Sequence, residues 1–268
     1  FLGGAVFRKL IASGFDCLGV SRVALPGLHR VASYEDTPAG DCLIHCAETN
    51  DRSLANAGGE ALEEAARHTL SALLTQGYRH VVYASSAVLY GDRWTTPRKV
   101  ADPVTVTDTY TRIKRMSEIS VLERGGSVLR LANLYGPGMA ATNVLSHVLT
   151  QLGQDRIITM NALDPVRDFL WIDDAVSALS ILSKRQIGGV FNAGSGQGIS
   201  IGELVGLVQR AAGTRQSVCG LRKLDQPSNL VLDITATRQH LGWSPETLPE
   251  VGVRQLVEIK MKSGIKTT

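Results

Sequence analysis

Three side chains near the middle of the chain, Ser86, Tyr110 and Lys114, have the types and spacing to move a proton on and off an alcohol or carbonyl. Tyr110 and Lys114 stand four residues apart in Tyr110-Thr111-Arg112-Ile113-Lys114. On a helix such a pair lies on one face, one turn apart. A free phenol titrates near ~10 and is a poor base at neutral pH. A lysine ammonium beside it favours the phenolate by opposite charge. A serine hydroxyl can orient a substrate oxygen toward the phenol. Together these groups handle a proton while a nicotinamide handles a hydride.

Two elements must hold them in place. His80-Val81-Val82-Tyr83-Ala84 is an apolar run, too short for a helix and rich in β-formers, so a buried strand is expected, ending in Ser85-Ser86. Thr107 or Asp108 can cap the helix that carries Tyr110 and Lys114, which is expected to run to about Leu122. A Tyr–Lys pair alone is common on ordinary helices, and the surrounding sequence gives it meaning. "YASSAVLYGD" followed by "YTRIK" resembles the serine, tyrosine and lysine of the extended short-chain dehydrogenase/reductase family, the sugar-nucleotide epimerase and dehydratase group.

That resemblance covers nearly the whole chain and implies a doubly wound α/β fold, a Rossmann-like parallel sheet with a small C-terminal substrate lobe. Residues 1–138 would form the dinucleotide-binding domain. Residues 139–268 would be mainly the substrate lobe, with some segments returning to the first domain. Ser86 would be the catalytic serine and hold the sugar's reacting oxygen. Tyr110 would be the general acid or base, and Lys114 would lower the phenol's pKa and hold the nicotinamide ribose. The resemblance also makes Gly3, in Phe1-Leu2-Gly3-Gly4, the last glycine of the turn after a first strand. Without that strand two internal edges would be exposed, so residues upstream of Phe1 are expected in the native protein.

The cofactor reading rests on Gly3, Ser21, Arg22, Ala47, Tyr110 and Lys114. After the short apolar strand Cys17 to Val20, the place of the ribose-binding acid is held by Ser21, with Arg22 next to it. An acid there selects NAD, whereas an Arg accommodates a 2′-phosphate, so NADP is expected over NAD. His29 to Ser33 is a possible strand. "DCLIHC" reads as the next buried strand, and "IHCAE" is similar to the family's "HLAA", which puts Ala47 at the cofactor. Glu48 stands where the family has a small residue; it either touches the cofactor or substrate or is simply solvated, and the solvated reading is preferred. Ser53 to Gln76 is helical by period, with Gly58-Gly59 able to interrupt it. The family packs this helix and the Tyr110 helix against their copies, so the resemblance implies a homodimer.

Further on, Ser127 to Leu131 reads as a strand, and loops at the carboxyl ends of parallel strands form the ligand crevice. Asn133, in "LRLANLYGPG", resembles the family's substrate-contacting asparagine. Arg167, in "VRDFLWIDDAVSAL", resembles an arginine that contacts the substrate pyrophosphate, and a guanidinium suits phosphate oxygens. Arg222 matches a second such arginine. A helix is expected from Ala140 to Leu152, and Ser200 is expected to cap another before Glu203.

The totals exclude other classes. The 268 residues are 44% hydrophobic and 20% charged, with a formal net charge of +3 and no Lys/Arg run, which argues against a nucleic-acid partner. No apolar stretch reaches membrane-spanning length, and no signal peptide is visible. Cys17, Cys42, Cys46 and Cys219 lack metal or redox spacing and read as reduced thiols of a cytoplasmic protein. The histidines form no ligand pairs, and no metal is expected.

The expected activity is 4-keto-sugar reduction or C4 epimerisation of a nucleotide sugar. A reductase of non-nucleotide ketones would not need Arg167 and Arg222. A cofactor-binding sensor would usually have lost the Tyr or Lys, and both are present.

Overall fold

The computed structural model describes residues 1–153 and 157–264. The chain opens with α1 (Leu2–Ala12), β1 (Val20–Ser21), β2 (His29–Arg30), β3 (Cys42–His45) and α2 (Arg52–Thr75). Next come β4 (His80–Ser86), α3 (Thr109–Leu122), β5 (Ser127–Leu131), β6 (Asn133–Tyr135) and α4 (Val144–Thr150). They are followed by β7 (Ile158–Met160), β8 (Val166–Trp171), α5 (Ile172–Arg185), β9 (Gly189–Ala193) and β10 (Gly198–Ser200). The last elements are α6 (Ile201–Ala212), β11 (Val218–Gly220), β12 (Asn229–Leu230), α7 (Thr235–Leu241) and α8 (Pro249–Gly264).

The central sheet is parallel throughout, in the order β3-β4-β5-β9. β4 is its pivot, and all of its residues except Ser86 are buried. Alternation along β4 sends Val81 and Tyr83 into a cluster with Leu70 and Leu74 of α2 and Val121 of α3. Val82 and Ala84 join the opposite, larger cluster, which includes Val6 and Leu10 of α1 and Ala175 and Leu179 of α5. A strand covered on both faces reads as a continuous apolar run, as β4 does. Each fully buried aliphatic side chain of this kind contributes roughly 1.5–3 kcal/mol. The doubly wound α/β architecture is therefore present.

β1 and β2 pair with each other, in parallel, as a separate two-stranded sheet. In the C-terminal part, β8 pairs antiparallel with β10 and parallel with β12 and β6. β7 and β11 form a parallel pair. Among the described residues no helix is long and apolar enough to cross a membrane.

Local chemistry sets the ends of the helices that matter. Asp108, not Thr107, caps α3: its carboxylate accepts from the Thr111 backbone N–H at 2.9 Å, and the Thr111 hydroxyl reaches back to the Asp108 N–H at 3.0 Å. α2 is broken at Gly59, whose φ of 54° and ψ of −144° are open to glycine but strained for other residues. The helix expected from Ala140 is shorter. Asn143 caps it by accepting from the Leu145 N–H at 2.9 Å, and residues 140–143 form a turn instead. The expected strands at Cys17 to Val20 and His29 to Ser33 shrink to the two-residue pair β1–β2, since only those residues find a ladder partner.

Candidate functional site

The carboxyl end of β4 and the first turns of α3 come together at one place. Ser86 ends β4, and its hydroxyl accepts from the Val88 N–H at 3.3 Å, turning the chain into a 3₁₀ turn over Ala87–Tyr90. Tyr110 lies in the first turn of α3, 8% exposed, with its backbone N–H held by the Asn56 side chain at 3.1 Å. Lys114, one turn on, is 6% exposed. Its ammonium donates to the Ala84 carbonyl at 3.2 Å and stands 5.9 Å from the centre of the Tyr110 ring. Lys114 is thus fastened to the strand two residues before Ser86.

Glu48 is not solvated. Its side chain is 6% exposed and lies 3.1 Å from the Lys114 ammonium. The Tyr83 hydroxyl donates to the same oxygen as Lys114, the Ser117 hydroxyl donates to the other at 2.5 Å, and His45 Nε2 stands 3.7 Å from that second oxygen. Burial pushes the Glu48 carboxyl up, but the Lys114 ammonium, His45 and Ser117 outweigh it and hold it well below the usual carboxylate range. Burial pushes Lys114 down, and Glu48, with Tyr110 and Cys46, more than reverses this, so its ammonium is held above the usual range. Burial first, and then the Glu48 charge, push the Tyr83 phenol well up. The solvated reading failed because the strand end β3 turns Glu48 inward toward α3, a tertiary fact that the single unusual residue type only hinted at.

The expected cofactor residues sit on the α1–β3 side. A Cβ built on Gly3 would meet the Cys46 Cβ at 3.5 Å, so the start of α1 rests against the end of β3, next to half-buried Ala47. The first turn of α1 has no acidic residue and no side-chain cap. Its free N–H groups and the helix dipole suit an anion. The Ser21 hydroxyl accepts from the Val23 N–H at 3.1 Å. The Arg22 guanidinium lies 4.9 Å over the Tyr34 ring, a cation–π contact at the surface.

Asn133, Arg167 and Arg222 line one cavity of about 1190 Å³, together with Asp92, Arg93 and Ser228. Ser86, Tyr110 and Lys114 are not among its lining residues. Asn133 donates to the Asp168 carbonyl at 3.2 Å, and Arg222 is exposed on the cavity wall. Arg167 is held on several sides. It donates to the Ser228 carbonyl at 2.7 Å, the Ser228 hydroxyl at 2.8 Å and the Asp92 carboxylate at 3.1 Å. Asp92, in "YGD" after the catalytic-type strand, and Ser228 escaped the sequence reading. Only the proximity of Asp92 to Ser86 in sequence could have pointed to them.

Asp168 does not pair with Arg167, because strand alternation points it the other way. Buried at 1% exposure, it accepts from the Ser195 N–H at 2.7 Å, the Ser195 hydroxyl at 2.6 Å, and the Gly196 and Leu232 N–H groups at 3.2 Å each. A Cβ on Gly194 would come within 2.3 Å of this carboxylate. Among the described residues no three His, Cys, Asp or Glu converge as a metal site.

Residues 1–194 match the NAD dependent epimerase/dehydratase family. The chain is 27% identical over 205 residues to UDP-glucose 4-epimerase of Azospirillum brasilense, a match covering 66% of this chain and 59% of that protein. It is 25% identical to dTDP-6-deoxy-L-talose 4-dehydrogenase (NAD(P)(+)) of Kitasatospora kifunensis, over 96% of this chain and 91% of the relative. In fold it is similar to UDP-glucose 4-epimerase from Thermotoga maritima with UDP-glucose, with a TM-score of 0.86 and 20% identity, covering 99% of this chain and 97% of that one.

Proposed function

Since the chain belongs to the NAD-dependent epimerase/dehydratase family, we propose that it reduces, oxidises or inverts one carbon of a nucleotide-linked sugar. The reaction would be of the 4-keto-sugar reductase or C4-epimerase type. The observation that carries this reading is the buried Lys114 ammonium, fastened to the Ala84 carbonyl within reach of Tyr110 at the end of β4.

Each residue then has a task. Ser86 orients the reacting oxygen. Tyr110 gives or takes its proton. The Lys114 ammonium favours the phenolate by its charge. Lys114 has three N–H donors, of which Glu48 and Ala84 take two. The third suits a ribose hydroxyl. A bound nicotinamide supplies the hydride. The start of α1, with Gly3 and Ala47 close by, suits the cofactor's phosphates, and Ser21 with Arg22 supports NADP over NAD, since neither repels a 2′-phosphate. Asn133, Arg167 and Arg222 share one cavity, which supports a nucleotide diphosphate over a small ketone. Residues 1–138 form the cofactor domain and 139–268 mainly the substrate lobe, with β9 returning to the first domain's sheet. A homodimer through α2 and α3 belongs to the same reading; Leu54 and Ile119, on those helices, are exposed.

Eliminating water from a hexose needs a second acid–base pair. The family's 4,6-dehydratases carry Asp-Glu directly after the catalytic hydroxyl residue, where this chain has Ala87 and Val88. Neither can transfer a proton. Incubation with UDP- and dTDP-hexoses and with their 4-keto forms, plus NADPH, should therefore give products of unchanged mass or differing by two hydrogens. Loss of water from an intact hexose would refute the reading. Tyr110→Phe should lower turnover by about 10²–10⁴-fold while coenzyme still binds.

A further inference from the structure

Glu48 has no assigned task, yet it is the carboxylate that pairs with Lys114. We propose that Glu48 is the positioning residue of this site, the buried counter-ion that fixes the Lys114 ammonium beside Tyr110. The inference rests on the reading of Tyr110 and Lys114 as the proton-handling pair.

The surroundings of Lys114 leave Glu48 no substitute. From β3 and the residues after it come His45, Cys46 and Glu48. From β4 come the Tyr83 ring, 5.0 Å from the ammonium, and the Ala84 carbonyl. From α3 itself come Tyr110 and Ser117. Of these only Glu48 carries a full negative charge close to the ammonium. The Tyr83 and Ser117 hydroxyls donate to Glu48 and not to Lys114, so they hold the carboxylate in its place. In a dry site burial disfavours the ammonium, and a neutral amine would no longer draw Tyr110 toward phenolate. Removing the carboxylate should therefore make Lys114 lose its proton in the working range as pH rises. At low pH, where the ammonium persists, the loss should be slight.

The test is NADPH affinity, followed by the coenzyme's own fluorescence between pH 6 and 9, for the full chain and three variants. Turnover on whichever nucleotide hexose proves active is followed alongside. Glu48→Gln should match the wild type near pH 6 and weaken relative to it by about tenfold by pH 9, in affinity and in turnover. Glu48→Asp keeps the charge and should keep the wild-type pH dependence. Lys114→Ala should be impaired at every pH. A Glu48→Gln to wild-type ratio that stays constant across the range, with Lys114→Ala impaired, would overturn the role of Glu48 alone. A normal Lys114→Ala would instead overturn the reading of the site, and this inference with it. If Glu48→Gln does not fold, the double variant Glu48→Gln/Lys114→Met decides. Recovery of folded protein marks the two charges as one coupled pair, and continued loss refutes the pairing.

Discussion

Helix α3 carries two buried ion pairs one turn apart, Lys114 with Glu48 and Glu118 with Arg130. The second is closed off in the core, with Arg115 also donating to Glu118 at 3.2 Å. Arg130 grips both oxygens of Glu118, at 2.8 and 2.7 Å, and the Ser85 hydroxyl adds a further bond at 2.7 Å. Glu118 and Arg130 are 0% and 3% exposed, and the guanidinium lies 4.8 Å over the Tyr90 ring. A planar fork matched to a carboxylate leaves little for a ligand. The first pair is open. The Lys114 ammonium is a point charge that touches one Glu48 oxygen and keeps a donor to spare. Burial alone therefore does not mark a functional charge. What separates the two pairs is how the cation is held: Arg130 is locked by two parallel bonds to Glu118, with its Nη1 buried and unbonded, whereas Lys114 meets Glu48 through one oxygen and stands beside Tyr110.

The largest effect that could break this contrast is on stability. Glu118→Ala strands Arg130 in the core, and breaking one half of a buried pair costs about 3–5 kcal/mol. Urea unfolding should show that loss, while the molecules still folded keep most of their turnover. Tyr110→Phe should do the reverse, with unfolding nearly unchanged. If Glu118→Ala were as stable as the wild type but inactive, the closed pair would belong to the chemistry.

A smaller effect concerns a cation outside both pairs. Arg22 rests on Tyr34 at the surface and pairs with no carboxylate among the described residues. Arg22→Asp should narrow or reverse a preference for NADPH over NADH, by about tenfold or ~1.4 kcal/mol for one well-placed charge. Equal affinities for both coenzymes, insensitive to the change, would show that Arg22 merely coats Tyr34.

The smallest effect is on the cap that both pairs share. Asp108 accepts from Thr111 and is bonded by Arg52 Nε at 2.5 Å and Asn56 at 3.1 Å. Its slight burial pushes the carboxyl up, but the bonds from Thr111, Arg52 and Asn56 outweigh this and hold it well below the usual range. A carboxyl lowered on folding adds stability above its unfolded value, near pH ~4, and loses it as pH falls further. Asp108→Ala should cost about 1 kcal/mol at pH 7. That difference from the wild type should shrink in acid-unfolding curves below about pH 4.

Much of this was legible in the sequence. The run of β4, the Tyr–Lys spacing and the glycine break in α2 are local patterns, and all three hold: α3 ends at Leu122, and α2 breaks at Gly59. Short strands were less legible, because a two-residue ladder such as β1–β2 leaves no periodicity to read. The partners of Arg167 lie 75 and 61 residues away, at Asp92 and Ser228, and no local rule reaches that far. Glu48 is an odd residue type for its place in the sequence, yet its surroundings are set by α3, more than 60 residues on.

Gly194 follows β9 directly, and one methyl group there would collide with the Asp168 carboxylate. That carboxylate joins β8 to the turn at Ser195–Gly196 and to Leu232, just after β12. β12 begins next to Ser228, which grips Arg167. The smallest side chain thus keeps the cavity wall in register with its arginine. Screens for loss of function would find position 194 as intolerant as position 110. Its alanine variant would fail by letting the wall slip, leaving the chemistry untouched.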